Sequence, residues 1–223
     1  MMNQKRGKGG TETDPYSDDF ERHNGQIKIG DALDIAADRF SKEAMFIIGY
    51  SGKPVSGSRL HRLALIYEAV HVRDGSAEAD FACGYSEGIE EAAETLEENG
   101  IISVNDDSYA LTGYGEKVFD LLKALSDGDE RDMFSVDMRM MISASEDVPD
   151  VHLIALTCWY YPELASDPEL QASAGPVIEG LYLDGRRLAE VPREEFVYRI
   201  WSGEKLETRR AEEERMMKAL GFG

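Results

Sequence analysis

Residues 81–125, FACGYSEGIEEAAETLEENGIISVNDDSYALTGYGEKVFDLLKAL, contain the pattern that decides the fold. The first part predicts an amphipathic helix, because apolar residues recur at the i, i+3, i+4, i+7 spacing of one helix face. These residues are Ile89, Ala92, Ala93 and Leu96. Ser86 is the predicted N-cap, and Asn99 with Gly100 is the predicted end of the helix.

Two short strands around an acidic turn follow this helix. The strands are predicted over residues 101–104 and 108–111, with the turn at residues 105–107. A second helical stripe comes next and consists of Val118, Leu121, Leu122 and Leu125. A helix, a two-stranded wing and a further helix in this order predict the second half of a winged-helix domain.

The composition limits the class of protein. A chain of 223 residues with 42% hydrophobic and 30% charged residues is typical of a soluble globular protein. No apolar run approaches the roughly 20 residues of a membrane span, and the N-terminus lacks the apolar core of a secretory signal. We therefore expect a cytoplasmic protein with no membrane partner. Cys83 and Cys158 belong to no C-x-x-C motif, and we interpret them as buried free thiols.

The net charge of −20, from 44 acidic and 24 basic residues, bears most directly on function. A nucleic-acid binder usually presents a basic patch, because phosphate contacts supply much of its affinity. An acidic chain can still bind DNA through a local basic face. Solubility at low salt, or adaptation to a salty cytoplasm, would explain the acidity equally well.

The N-terminal half is predicted to be a short tail and a winged-helix domain over residues 27–126. Residues 1–26 have little to bury, which predicts a disordered tail. One helix is predicted over residues 31–50, where it ends before Pro54. A second helix is predicted over residues 58–72. The predicted fold is mainly α with a small β wing.

Residues 127–223 are predicted to form a helical C-terminal region. A methionine-rich helix over residues 133–143 is interpreted as core filler, with an adaptable partner surface as the alternative. The helix predicted over residues 151–161 is apolar nearly all round, which indicates burial. Residues 165–176 are interpreted as a loop.

The end of the chain is predicted to contain a β-hairpin and two helices. The Asp184–Gly185 pair favours a type I′ turn between strands at residues 181–183 and 186–191. Helices are predicted over residues 193–201 and 205–220. The last helix carries ion pairs at i, i+4 spacing and a narrow apolar stripe, so we interpret it as a solvated helix with a docking stripe or an oligomer contact. The stripe consists of Leu206, Met216, Met217 and Leu220.

Four short motifs follow one another between residues 57 and 115. They are GSRLHRL at residues 57–63, GYS at 84–86, GII at 100–102, and YALT with Gly115 at 109–115. Together they resemble an uncharacterised, archaeal-type winged-helix family of prokaryotes that is distantly similar to Panacea-type antitoxin domains. The resemblance covers roughly residues 44–164 and implies a winged-helix fold without specifying an activity.

The chain departs from this family pattern at two places. His61 and Arg62 stand where the family has Gln-Lys, and the elbow before Ser86 is one residue shorter. We interpret Tyr85, Tyr109 and Leu111, which lie within or next to the motifs, as core and elbow residues.

No arrangement of residues indicates catalysis. The histidines have no partner at metal-ligand spacing, no phosphate-binding glycine loop is present, and no Ser or Thr is paired with a base. We therefore expect neither an enzyme nor a cofactor or metal site. An enzyme would need a pocket with perturbed carboxylates.

The predicted third helix and wing are strongly acidic. Residues 86–107 hold eight acidic residues and no Lys or Arg. Because the third helix of a winged helix normally enters the major groove, this surface would repel DNA in the usual pose. The acidic residues expected to face a partner are Glu87, Glu90, Glu91, Glu94 and Glu98.

Two functional hypotheses follow. The first is a non-enzymatic regulatory protein that acts through protein contacts, as a homodimer or an adaptor, with residues 133–142 and the last helix as contact elements. The second is a DNA-binding transcription regulator related to antitoxins. It would use the cations at the start of the second helix, namely Lys53, Arg59, His61 and Arg62. For Arg59, an equal alternative is a structural role, in which it anchors a loop through a carboxylate such as Glu87.

Overall fold

The computed structural model describes six stretches of the chain: residues 29–71, 81–82, 85–127, 134–160, 168–201 and 204–220. They form mainly α-helices with three small antiparallel sheets. The mainly helical prediction is confirmed. The predicted tail at residues 1–26, Cys83 and Met133 lie outside the described residues.

The described residues up to 127 form five helices and five short strands. The helices are α1 Ile29–Ala37, α2 Arg39–Ser51, α3 Gly57–His71, α4 Glu87–Glu98 and α5 Gly113–Asp127. The strands are β1 Val55–Ser56, β2 Phe81–Ala82, β3 Tyr85–Ser86, β4 Ile102–Asn105 and β5 Ser108–Leu111. The strands pair as a sheet in the order β1-β5-β4 and a separate β2-β3 pair.

The described residues from 134 onward form five further helices and a third sheet. The helices are α6 Phe134–Ser145, α7 Asp150–Tyr160, α8 Pro168–Ile178, α9 Arg193–Trp201 and α10 Arg209–Ala219. The strands are β6 Leu181–Leu183, β7 Arg186–Arg187 and β8 Leu206–Thr208, and their order in the sheet is β7-β6-β8. A 3₁₀ turn, Leu188–Glu190, follows β7.

The single helix predicted over residues 31–50 is wrong, because the chain breaks at Asp38. This residue is extended, with φ −93° and ψ 120°, and its carboxylate accepts a hydrogen bond of 2.7 Å from the Ser41 amide. Asp38 is therefore the N-cap of α2 and separates it from α1. The predicted helix end is confirmed at Gly52, where φ is +61°.

The helix and hairpin predicted between residues 86 and 111 are confirmed. Ser86 caps α4 by accepting a hydrogen bond of 3.2 Å from the Ile89 amide, and Gly100 ends the helix with φ +66°. Asp106 and Asp107 form the turn with φ of +47° and +64°, a region that aspartate tolerates better than most residues.

The junction between β5 and α5 depends on Thr112 and Gly115. The Thr112 hydroxyl donates to the Gly100 carbonyl at 2.7 Å and accepts from the Gly115 amide at 3.0 Å. A Cβ added to Gly115 would lie 1.9 Å from the Ile101 carbonyl oxygen, so no side chain fits. The YALT–Gly motif therefore has a structural role. Leu125, the last residue of the apolar stripe predicted for α5, is 42% exposed.

The methionine-rich helix α6 contributes to the core. Met138 is fully buried and Met141 is 1% exposed, which confirms the core-filler interpretation. The alternative of a methionine partner surface is wrong for these two residues. Phe134, at the start of α6, packs edge-to-face against Phe46 and Tyr67 with ring centroids 5.1 and 5.0 Å apart.

The loop predicted over residues 165–176 is wrong, because α8 occupies Pro168–Ile178. Pro168 is its first residue, a position where the missing amide proton costs no hydrogen bond. Ala174 and Ile178 are buried, and α8 packs against α7. Burial of α7 is confirmed for most of its described side chains, but Trp159 is 41% exposed.

The hairpin at Asp184–Gly185 is confirmed, with φ of +49° at Asp184 and +75° at Gly185. Its second strand, predicted over residues 186–191, is too long, because β7 covers only Arg186–Arg187 and residues 188–190 form the 3₁₀ turn. The helix predicted over residues 193–201 is also confirmed.

The helix predicted over residues 205–220 is wrong at its start. Leu206 lies in β8, where it pairs with Leu183 and is 3% exposed. The other residues of the predicted docking stripe are exposed: Met216, Met217 and Leu220. Among the described helices, none has the length and apolar character needed to cross a lipid bilayer.

Candidate interaction surface

Arg59 is held inside the molecule. Its side chain is 14% exposed. The guanidinium donates to the Ser145 carbonyl at 2.7 Å, to the Val148 carbonyl at 2.8 Å and to Asp150 Oδ1 at 3.0 Å. These bonds fasten the end of α6 and the start of α7 to α3. The structural role is therefore right, but its carboxylate is Asp150 rather than Glu87, and Arg59 is not available as a DNA contact.

Ser56 completes this junction. Its hydroxyl donates to Asp150 Oδ2 at 2.8 Å and accepts from the Arg59 amide at 3.1 Å, so it also caps α3. Both oxygens of one carboxylate are thus bound by the beginning of α3.

His61 is also an internal residue, with 4% of its surface exposed. Its Nδ1 accepts a hydrogen bond of 3.2 Å from the Ser86 amide, so Nε2 carries the proton and donates to Glu90 Oε2 at 3.0 Å. Burial lowers the pKa of the imidazole, and Glu90 opposes this shift. The ring lies 4.5 Å from that of Tyr85. His61 therefore positions the start of α4, and it presents almost no surface for the predicted DNA contact.

Two of the four predicted cations still face solvent. Lys53 is exposed, and Arg62 is partly exposed. With Arg59 and His61 committed to internal contacts, the basic face proposed from the sequence is reduced to this pair.

The acidic face of α4 points outward. Four of the five predicted residues are exposed: Glu87, Glu91, Glu94 and Glu98. Glu90 is the exception, because it is partly buried and bound to His61. Glu97, which we did not single out as a partner-facing residue, is exposed as well.

Tyr85 lies beside this negative surface, which affects the pKa of its hydroxyl group. Its side chain is 48% exposed, so it is not a core residue, and of the interpretation as a core or elbow residue only the place in the elbow before Ser86 applies. Its pKa is raised above the ordinary value, first by desolvation and then by the charges of Glu90 and Glu87. Tyr109 is 7% exposed, which confirms it as a core residue, and Leu111 is partly buried against the core.

A cleft of about 510 Å³ lies between α1 and α4, and we call it the acidic cleft. Its carboxylates are Asp31, Asp34, Asp38, Glu87 and Glu91. Its apolar lining consists of Ile35, Phe40, Ala92, Leu96 and Ile101. The two acids of α1, Asp31 and Asp34, were missed in the sequence, although their spacing of three places them on one helix face.

The floor of the acidic cleft requires a glycine in α4. A Cβ added to Gly88 would lie 2.4 Å from the Phe40 ring, closer than van der Waals contact allows. The absent side chain lets the ring pack against the α4 backbone, and this contact brings the start of α2 beside α4.

Two buried carboxylates lie elsewhere, between α2 and α3. Glu43 is 1% exposed and Glu68 is 3% exposed, and Arg39 Nε donates to them at 3.2 and 2.8 Å. Burial raises the pKa of Glu43 to about 7, although Arg39 opposes the shift. Neither carboxylate lines the acidic cleft. This network was not predicted, because a glutamate in an amphipathic helix is normally solvated.

Within the stretches that the structure describes, no three His, Cys, Asp or Glu side chains are grouped so that they could hold a metal ion. No protein-family model matches the chain, and comparison with curated proteins and with solved structures gives no significant match.

Proposed function

We propose that the protein is a non-enzymatic winged-helix regulatory protein that acts through protein–protein contacts, as a homodimer or as an adaptor. The observation that carries this proposal is the outward-facing acidic surface of α4. Glu87, Glu91, Glu94 and Glu98 are exposed, and neither α4 nor the β4–β5 hairpin contains a Lys or Arg.

The arrangement of residues 39–111 supports the winged-helix part of the proposal. A helix, a short strand, two helices and a hairpin follow one another as α2, β1, α3, α4 and β4–β5. Strand β1 pairs with β5, with Val55 opposite Tyr109. In a winged helix the first strand joins the wing in this way, and α3 with α4 would be the helix-turn-helix pair. The same arrangement supports the proposed relation to the archaeal-type family.

The charge of α4 supports a protein partner over DNA. The third helix of a winged helix would face phosphates in the usual pose, and four exposed carboxylates would repel them. The same carboxylates attract a basic protein surface and accelerate its encounter with the chain.

DNA binding through the start of α3 is the weaker candidate. It was proposed for four cations, but Arg59 and His61 are engaged inside the molecule. Lys53 and Arg62 alone offer few of the phosphate contacts on which DNA affinity depends.

Binding of the purified chain to mixed genomic DNA fragments, at low and at moderate salt, tests the proposal. We expect no fragment to be retained at either salt concentration. Salt-sensitive retention of fragments that share one sequence would contradict the proposal. The mass in solution decides between its two forms, because one chain has a mass of 24.9 kDa and a homodimer has twice that mass.

A further inference from the structure

We propose that the acidic cleft between α1 and α4 binds a cationic peptide segment of a partner protein, in which an apolar side chain lies between Lys or Arg residues. The inference rests on the proposed function. It assigns a site and a partner chemistry to one side of α4.

The shape of the cleft suits an extended peptide. Its lining runs along α1 from Asp31 to the N-cap of α2 at Asp38, and along α4 from Glu87 to the C-cap at Asn99, nearly the full length of both helices. A helix of nine residues is about 13 Å long, which corresponds to roughly four residues of extended chain. The volume of about 510 Å³ lies within the range of ligand-binding sites.

The floor of the cleft suits an apolar side chain. Phe40, which is partly exposed, forms this floor together with the largely buried Leu96 and Ile101. The lining also includes the neutral polar residues Ser41, Thr95 and Asn99. An apolar side chain that enters the cleft would therefore lose water on contact with the floor while its neighbours remain near the rim.

The rim suits cations. It carries five carboxylates and no Lys, Arg or His. Two of these carboxylates are already fixed: Asp31 accepts a hydrogen bond of 2.6 Å from the Tyr114 hydroxyl, and Asp38 caps α2. Asp34 and Glu91 are exposed on opposite walls, where one guanidinium or ammonium group can pair with each.

The same charges argue against other occupants. Phosphate-bearing ligands would be repelled by the rim. A metal ion is disfavoured, because no three carboxylates of the described chain are grouped closely enough to hold one. A cationic peptide satisfies both the rim and the floor.

The test uses the full chain and a fluorescein-labelled peptide, Gly-Lys-Leu-Lys-Leu-Arg-Gly, with binding followed by fluorescence anisotropy at low salt. The cleft variant combines Asp34→Lys with Glu91→Lys. The matched control combines Glu94→Lys with Glu98→Lys, which changes the net charge equally on exposed residues outside the cleft lining. We expect the cleft variant to bind about tenfold more weakly than the parent, and the control less than about threefold more weakly.

Equal weakening by the two double variants would overturn the inference, because it would mean that the peptide senses only the general negative charge. That result would leave the proposed function standing, since the proposed function is contradicted by DNA retention instead. Thr95→Trp, which fills the cleft without changing its charge, should weaken binding as the cleft variant does, and parental affinity would overturn the inference. This variant also serves if the charge reversals disturb folding.

Two further comparisons test the ligand chemistry. A peptide with both leucines replaced by glycine should bind more weakly than the parent peptide, and equal affinity would exclude a role for the apolar floor. Replacement of Lys5, Arg6 and Lys8 by alanine should leave the affinity unchanged. Tighter binding by that variant would identify the occupant as the chain's own N-terminal segment and overturn the assignment to a partner.

Discussion

The start of α3 and the outer face of α4 carry charges of opposite sign, and the molecule uses them differently. At the start of α3, Arg59 and His61 are nearly buried and bind groups on other elements. On α4, Glu94 and Glu98 are exposed to solvent. Charged residues in a sequence therefore indicate a binding surface only after those with internal partners have been set aside. By this criterion the acidic face remains available, whereas two of the four cations of the basic face do not.

Removal of Arg59 should have the largest effect. Arg59→Ala leaves the Ser145 and Val148 carbonyls and the Asp150 carboxylate without their donor, and we expect a loss of about 3–5 kcal/mol in the free energy of unfolding. Urea denaturation measures this change. Arg62→Ala is the matched control and should cost less than about 0.5 kcal/mol. Similar losses for the two variants would remove the distinction between the internal and the exposed cations.

The next prediction concerns Glu43, a buried acid that contrasts with the exposed acids of α4. Because its pKa is raised from 4.5 to about 7 in the folded chain, its contribution to stability is complete below pH 4.5 and is lost as the pH rises through about 7. We expect the parent to lose roughly 3 kcal/mol more than Glu43→Gln between pH 4 and pH 8.

Denaturation curves at the two pH values provide this measurement. The exposed Glu94 is the matched control, and Glu94→Gln should keep the pH dependence of the parent. If Glu43→Gln also keeps the pH dependence of the parent, Glu43 is ionised in the folded chain at neutral pH.

Loss of the imidazole at position 61 should have an intermediate effect. His61→Ala removes the acceptor of the Ser86 amide and the donor to Glu90, and we expect a cost of about 2 kcal/mol. Thermal unfolding monitored by circular dichroism measures it. A loss below about 0.5 kcal/mol would contradict an internal role for His61, because so small a loss is typical of an exposed residue.

The smallest expected effect is on α4 itself. Glu91→Lys replaces repulsion from Glu87 by attraction at i, i+4 spacing, which should stabilise the chain by about 0.3–0.5 kcal/mol. A loss of stability in the same unfolding experiment would indicate that Glu91 has an internal role and does not belong to the free acidic face.

The helix ends and turns could largely be predicted, because local rules determine them. The Ser86 cap, the Gly100 helix end and the turns at Asp106–Asp107 and Asp184–Gly185 depend on residues only a few positions apart. The break at Asp38 obeys an equally local capping rule, but the continuous apolar pattern across residues 31–50 concealed it. Helix α8 was missed because Gly175 and Pro176 lower helix propensity, whereas burial against α7 outweighs them.

The candidate site was harder to predict, because it depends on distant contacts. Arg59 and Asp150 are 91 residues apart, and no local pattern connects them. The acidic cleft combines α1 and α4, whose packing the sequence does not specify. The residues that resemble the archaeal-type family illustrate the same limit. Arg59, Thr112 and Gly115 look like signature residues, but in the structure they join elements to one another.

The central claim is tested most directly by retention on mixed genomic DNA fragments across a series of salt concentrations. The parent is compared with the triple variant Glu91→Lys, Glu94→Lys, Glu98→Lys. Because the exposed acids of α4 repel the phosphates of nucleic acid, we expect that the parent is not retained. The triple variant should be retained at low salt, and its retention should fall as salt increases. Retention of the parent that is salt-sensitive and lost in Arg62→Glu would contradict the claim, because the basic face would then be the functional one.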